Sequence, residues 1–186
     1  DSTYPDAFSG EKDSCGVGFI ASVEGKQNHW VLSQALRGLS CMEHRGGCGG
    51  DSDSGDGAGI LCEIPWSYFR QVWDTAKQCD SQLSGIGMMF MPKDLKNREL
   101  ARKICEQEAE ALDLHSKGWR DVPVNEKVLG KLARENEPFI TQWIVNIKDK
   151  EINLESLLFR LRQRISNRAN IELKEDKLGL YICSLS

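Results

Sequence analysis

The chain has 186 residues, 40% of them hydrophobic and 28% charged, the balance of an ordinary globular domain long enough for a sizeable core. A formal charge of -4 and a pI near 5.5 argue against nucleic acid or an anionic membrane surface as partner, since either would favour a basic face. No apolar run approaches the ~20 residues that span a bilayer, and the opening Asp1-Ser-Thr-Tyr-Pro-Asp6 lacks the charged and apolar regions of a secretion signal.

Residues 1–14 are polar and turn-rich and read as a leader. The mostly apolar run Gly16 to Val23 predicts a buried strand. A helix follows from about Asn28 to Leu39, with Leu32, Ala35, Leu36 and Leu39 at helical spacing. Glycines at 46, 47, 49, 50, 55 and 57 then crowd the stretch Glu43 to Gly59 too densely for a regular element. Its Gly-Asp-Gly-Ala-Gly end lacks the Lys-Ser/Thr of a phosphate loop, and its aspartates would repel phosphate, so it reads as a tight turn. Ile60 to Ile64 predicts a short strand, and Pro65 opens a helix through Phe69, Trp73 and Ala76.

Gly85 to Met91 reads as a second buried strand, stopped by Pro92, and Arg98 to Leu112 as an amphipathic helix. The segment Gly118 to Val124 connects to a modest helix, Glu126 to Arg134. Phe139 to Ile147 alternates, with Phe139, Thr141, Trp143, Val145 and Ile147 on one face of a strand. Leu154, Leu157, Leu158, Leu161 and Ile165 form the cleanest helical stripe, with Asn153 as its N-cap. Leu178 to Leu185 predicts a last strand; a chain that stops on an apolar strand suggests a sheet completed by further sequence or by another protein subunit. The order is mixed α and β, with consecutive strands expected to be antiparallel.

Seven cysteines, at 15, 41, 48, 62, 79, 105 and 183, form no C-x-x-C, and no histidine pair stands at ligand spacing, so no metal site is expected. Six of them read as reduced, small core residues. Cys15 differs: it sits where the polar leader meets the first apolar run, and Gly16 and Gly18 leave room for a substrate carbon to approach the backbone. An inert core thiol remains the alternative.

Taken together, Cys15-Gly-Val-Gly-Phe-Ile-Ala21, Cys41-Met-Glu-His-Arg-Gly-Gly47, Asp53-Ser-Gly-Asp-Gly-Ala-Gly-Ile-Leu61, Gly118-Trp-Arg-Asp-Val-Pro-Val124 and the closing Leu180-Tyr-Ile-Cys-Ser-Leu-Ser186 resemble the glutamate synthase family, its ferredoxin-dependent cyanobacterial and plastid forms above all. The resemblance runs from about Glu11 to Ser186. It implies an α+β fold, part of an N-terminal-nucleophile hydrolase with antiparallel sheets between helical layers (αββα), incomplete at the C-terminus. Residues 1–14 would be a propeptide and 15–186 the first portion of a class II glutamine amidotransferase domain. Cys15, freed as the N-terminal residue, would attack the side-chain amide of glutamine with its own α-amine as base, serving glutamate biosynthesis and nitrogen assimilation.

The resemblance also implies that Arg45 lies near the nucleophile, with Gly16 supporting the site. The alternative for Arg45 is a loop arginine paired with Asp51, Asp53 or Asp56. His44 reads as a structural histidine. The family's His-x-Arg-Phe-Ser-Thr-Asn and His-Asn-Gly-Glu segments, which supply the substrate-carboxylate arginine and the oxyanion hole, do not occur in the 186 residues, so substrate-binding groups are expected beyond Ser186. The isolated chain is therefore expected to be inactive, and a truncated, non-catalytic binding or structural subunit is the competing reading. No cofactor is expected in this chain; the FMN and iron–sulfur cluster of the family belong to downstream domains. Partners would be glutamine and the remaining synthase domains or another subunit, and the location cytoplasm or plastid stroma.

Overall fold

The computed structural model describes residues 16–26, 28–42, 53–55, 57–148, 151–174 and 176–186. The chain divides into two compact units, residues 1–63 with 127–135 and residues 64–126 with 136–186.

The second unit is built on an antiparallel sheet of β1 (Ser84–Met91), β2 (His115–Asp121), β3 (Phe139–Asn146) and β4 (Tyr181–Leu185) in the order β2-β3-β1-β4. The predicted alternation of β3 is present, and both of its faces are used. Trp143, Val145 and Ile147 join Met89, Met91 and Ile182 in a core covered by α4 (Leu95–Glu110) and α6 (Leu154–Glu172). Ile144 and Ile86, on the other face, pack with Phe69 of α2 (Trp66–Val72), Ala76 of α3 (Asp74–Lys77), Trp73 at the junction between these helices and Cys79 just after α3. Gly85 lets α6 lie close to the sheet: a Cβ there would come within 2.7 Å of a Leu158 methyl.

Helix ends follow from their caps. Asn153 and Asp94 accept from the backbone N–H groups of Ser156 and Asn97 at 2.8 and 2.9 Å. Asp94 starts α4 at Leu95, earlier than the expected Arg98, because the first turn is anchored by its cap while Leu95 itself is exposed. Between α4 and α6, Glu108 accepts from Arg164 Nε at 2.6 Å and Arg168 Nη1 at 3.2 Å, which satisfies a nearly buried carboxylate. At the turn into β4, Asp176 takes the Asn97 side-chain amide at 2.7 Å and the backbone N–H groups of Leu178 and Gly179 at 3.0 Å each.

Several expectations are corrected. The helix opened by Pro65 is two helices, because Trp73 is extended (φ -144°, ψ 109°) and its buried indole packs edge-on against Phe69. The first part of the segment from Gly118, as far as Asp121, lies within a strand, β2, paired with β3 with a bulge between Ser116 and Gly118. The last strand starts at Tyr181, three residues later than expected.

In the first unit, α1 (His29–Cys41) has the predicted place, with the Asn28 side chain accepting from Trp30 N–H at 2.9 Å. The expected strand Gly16 to Val23 is absent: these residues are irregular, Val17 and Phe19 are 90% and 93% exposed, and a turn closes at Gly25. No described strand pairs with them, and an apolar run without a ladder partner has nothing to hold it extended. Ile60 to Ile64 forms no strand for the same reason, and Leu61 is exposed. The helix expected over Glu126 to Arg134 is a 3-10 turn, Glu126–Val128, and a separate short helix, α5 (Lys131–Glu135), divided at Leu129 and Gly130.

Candidate active site

The residues that carry the sequence argument divide sharply. Cys15, Arg45, His44, Asp51 and Asp56 lie outside the described residues, so neither of the two readings of Arg45 is tested. Gly16 is described and exposed, at the head of an irregular segment in which Gly18 has open space where a Cβ would point.

The glycine-rich stretch re-emerges at Asp53 to Gly55. Ser54 is only 7% exposed, and its Oγ accepts the backbone N–H of Ala133 at 3.0 Å. The Gly130 carbonyl accepts the Arg134 N–H at 3.0 Å, making Gly130 the N-cap of α5, a position with no side-chain oxygen of its own. Ser54 supplies that oxygen from elsewhere in the sequence. Gly57 has φ +86°, a left-handed conformation suited to glycine; Asp56, within the expected tight turn, lies outside the described residues, and no strand follows. Sequence reasoning missed the Ser54–Gly130 contact.

The other cysteines bear on which thiol could be a nucleophile. Burial pushes the thiols of Cys79, Cys105 and Cys183 up, away from the reactive thiolate, with nearby Lys117 and Arg70 opposing this only in part at Cys79. Cys41 and Cys62, expected in the core, are exposed instead: the Cys41 position closes α1 at its solvent side, and Cys62 lies in the segment that forms no strand. All five are free thiols. Among the described residues no cluster of three His, Cys, Asp or Glu side chains could hold a metal ion, and no helix is long and apolar enough to cross a membrane.

Residues 15–186 match the family of class-II glutamine amidotransferases, and the chain belongs to that family. It is 42% identical over 180 residues to ferredoxin-dependent glutamate synthase 2 of Synechocystis sp., and 41% identical over 181 residues to ferredoxin-dependent glutamate synthase 1, chloroplastic/mitochondrial, of Arabidopsis thaliana; each alignment covers 95% of this chain and 11% of the relative. The ferredoxin-dependent glutamate synthase of Pyropia yezoensis is 43% identical over 184 residues, covering 95% of this chain and 12% of the relative. The chain thus spans about a tenth of the length of these relatives.

Proposed function

We propose that this chain is the opening, glutamine-hydrolysing portion of a ferredoxin-dependent glutamate synthase, with Cys15 as nucleophile. The observation that carries the reading is that the family match begins on Cys15, the residue that the leader boundary and the Gly16/Gly18 spacing also single out.

Residues 1–14 are a propeptide in this reading, and cleavage of the Ser14–Cys15 bond frees the α-amine. That amine takes the thiol proton; its ordinary pKa of ~7.7–8 suits a base near neutral pH. The thiolate attacks the side-chain amide carbon of glutamine, the protonated amine returns the proton to the departing nitrogen, and ammonia leaves a glutamyl thioester. Water then attacks the thioester, releasing glutamate and restoring the thiol. With residues 1–14 attached, Cys15 has an amide nitrogen in place of the amine, and the base is lost.

The antiparallel sheet with α4 and α6 on one face agrees with one sheet-and-helix half of an αββα hydrolase. The oxyanion donors and the substrate-carboxylate arginine are assigned to sequence outside these 186 residues, in keeping with the small fraction of the relatives that the chain spans. FMN, the iron–sulfur cluster and transfer of the ammonia to 2-oxoglutarate are assigned to those other domains, and the location to plastid stroma or cyanobacterial-type cytoplasm.

The test is N-terminal sequencing and mass of the protein from its source, with ammonia release measured for the full-length enzyme and its Cys15→Ala variant. A start at Cys15, a mass far above 20.9 kDa and a loss of glutaminase rate by ~10³-fold or more in the variant are expected. A Cys15→Ala enzyme that still hydrolyses glutamine would overturn the assignment. A natural protein of 20.9 kDa that starts at Asp1 and leaves glutamine intact would instead favour a non-catalytic subunit.

A further inference from the structure

The segment Gly118 to Val124, which the sequence singles out, takes no part in the chemistry proposed above, yet its arginine has a specific setting. Arg120 is opposite Gln142 in the β2–β3 register, and Gln142 is opposite Met88 of β1. Strand alternation puts Arg120, Gln142 and Met88 on the face of Ile144 and Ile86, opposite α4 and α6. There α2 and α3 pack on Ile144 and Ile86. Further along the same face, Met88, Phe90 and Ile140 are half-buried and join neither core. Tyr181, its ring centroid 6.2 Å from that of Phe90, is 59% exposed.

Beside this apolar patch lies a cation without an anion. Arg120 is half-buried, and its Nη1 donates to Gln142 Oε1 at 2.7 Å. Among the described residues no carboxylate pairs with it. Its neighbour Asp121 instead meets Arg102 Nη2 at 3.4 Å. Gln142 is only 7% exposed, at a position where Ile140 and Ile144 on either side call for a third apolar side chain. A neutral amide there orients the guanidinium without neutralising it. Taking a charge out of water is costly until an opposite charge meets it, and the planar fork of donors on a guanidinium fits a carboxylate.

We propose that this part of the sheet face docks an apolar segment that brings one Asp or Glu carboxylate to Arg120, and that the segment belongs to the enzyme's own sequence outside these 186 residues. The proposal rests on the reading of the chain as one portion of a longer glutamate synthase; it covers 11% of the relatives from Synechocystis and Arabidopsis. Charge complementarity selects the occupant. A wholly apolar segment would seal Arg120 from water with no anion to meet it, and a basic one would repel it. A second copy that presented the same face would set arginine against arginine. The incoming carboxylate loses its own water as well, so the pair fixes register: the segment seats only where its acid reaches Arg120.

The test uses the full-length enzyme. Arg120→Lys puts an amine at the anchor, and a zero-length carbodiimide reagent joins amine to carboxylate where the two are in ion-pair contact. The Lys93–Glu137 pair, Nζ to Oε2 at 3.1 Å, serves as the internal control. Peptide mapping is expected to find the introduced amine joined, within one chain, to an Asp or Glu outside residues 1–186. A link to a carboxylate within residues 1–186, to a second copy or to another protein would overturn the proposal. So would the absence of a link in a sample where Lys93 and Glu137 are joined. Arg120→Glu sets like charges against each other and is read by oxidative labelling of methionines. Met88 is expected to label ~3-fold faster or more than in wild type, while Met89 and Met91, fully buried on the opposite face, stay unchanged and show that the sheet is intact. Unchanged Met88 labelling sinks the proposal. Should Met89 and Met91 label as well, the variant has not folded and the cross-link decides. A longer, glutamine-hydrolysing enzyme with no link at Arg120→Lys removes the docking alone; a natural protein of 20.9 kDa removes the reading beneath it, and the docking with it.

Discussion

The described residues of the unit 64–126 and 136–186 and those of the unit 1–63 and 127–135 differ in how much apolar surface they bury. In the former, both faces of a sheet are buried, and Trp143, Met89, Met91, Ile104, Leu158 and Leu161 are fully removed from water. In the latter, α1 has no buried residue, and Val17, Phe19, Val23 and Leu61 are exposed. Contacts among the described residues of that unit include the Asn28 cap, the turn at Gly25 and the Ser54–Ala133 bond. A buried large side chain contributes ~2–3 kcal/mol or more, whereas one such hydrogen bond contributes ~1 kcal/mol net. The chemistry proposed for this chain is assigned to the unit whose described residues are the less buried, called weakly cored below. Substitutions in one unit should therefore act on global stability and those in the other on local order.

The largest expected effect is at Trp143. Its indole is fully buried, stacks on Trp119 with centroids 5.0 Å apart and planes 7° apart, and donates from Nε1 to Ser116 Oγ at 2.8 Å. Trp143→Ala is expected to cost ~3–5 kcal/mol, seen as a lower urea midpoint with an unchanged slope. A loss below ~1.5 kcal/mol would show that the sheet core is not what stabilises this unit, and the contrast would collapse.

A smaller, pH-dependent effect belongs to Asp176. Burial disfavours its charged form, but the Asn97 amide and the N–H groups of Gly179 and Leu178 outweigh burial and hold the carboxyl below its usual value. A folded pKa below the unfolded one means that this stabilisation is fully present above the unfolded value of ~3.9 and is lost as pH falls through the folded value. Unfolding followed from pH 6 down to pH 2 should therefore lose stability less steeply in Asp176→Asn than in wild type. Parallel pH profiles would exclude the carboxylate as a fastener of the turn into β4.

The same contrast explains what could be read in advance. The strands β1 and β3 and the helices α1 and α6 were legible because pattern and caps agree: apolar runs or stripes at the right period, with Asn28 and Asn153 at the helix starts. The segment around Gly118 concealed β2 because Lys117, Gly118 and Asp121 are poor strand residues, and only pairing with β3 makes the strand. Gly16 to Val23 and Ile60 to Ile64 erred in the other direction. Hydrophobicity reports what a chain would bury, and it is silent on whether a partner strand is available. Cys15 was legible as a motif, because adjacent residues carry it. The Ser54–Gly130 contact was not, since its halves lie far apart in sequence and the only local sign is a glycine where a capping oxygen would ordinarily stand.

The smallest expected effect is the most discriminating for the weakly cored unit. Asn28 is exposed and caps α1 through one bond to the Trp30 N–H at 2.9 Å. Asn28→Ala is expected to cost the helix ~1 kcal/mol, and Asn28→Asp, which keeps a capping oxygen, far less. Because α1 has no fully buried side chain, this loss should appear as fraying of its first turn, not as a shift of the global transition. Hydrogen exchange at the Trp30 and Val31 amides should accelerate ~5-fold in Asn28→Ala, while the urea midpoint moves by less than the Trp143→Ala shift by a wide margin. If Asn28→Ala instead lowered the global midpoint by the full ~1 kcal/mol with no selective exchange at the helix start, α1 would be part of the main cooperative unit. The difference in how the two regions are held would then not extend to how they unfold.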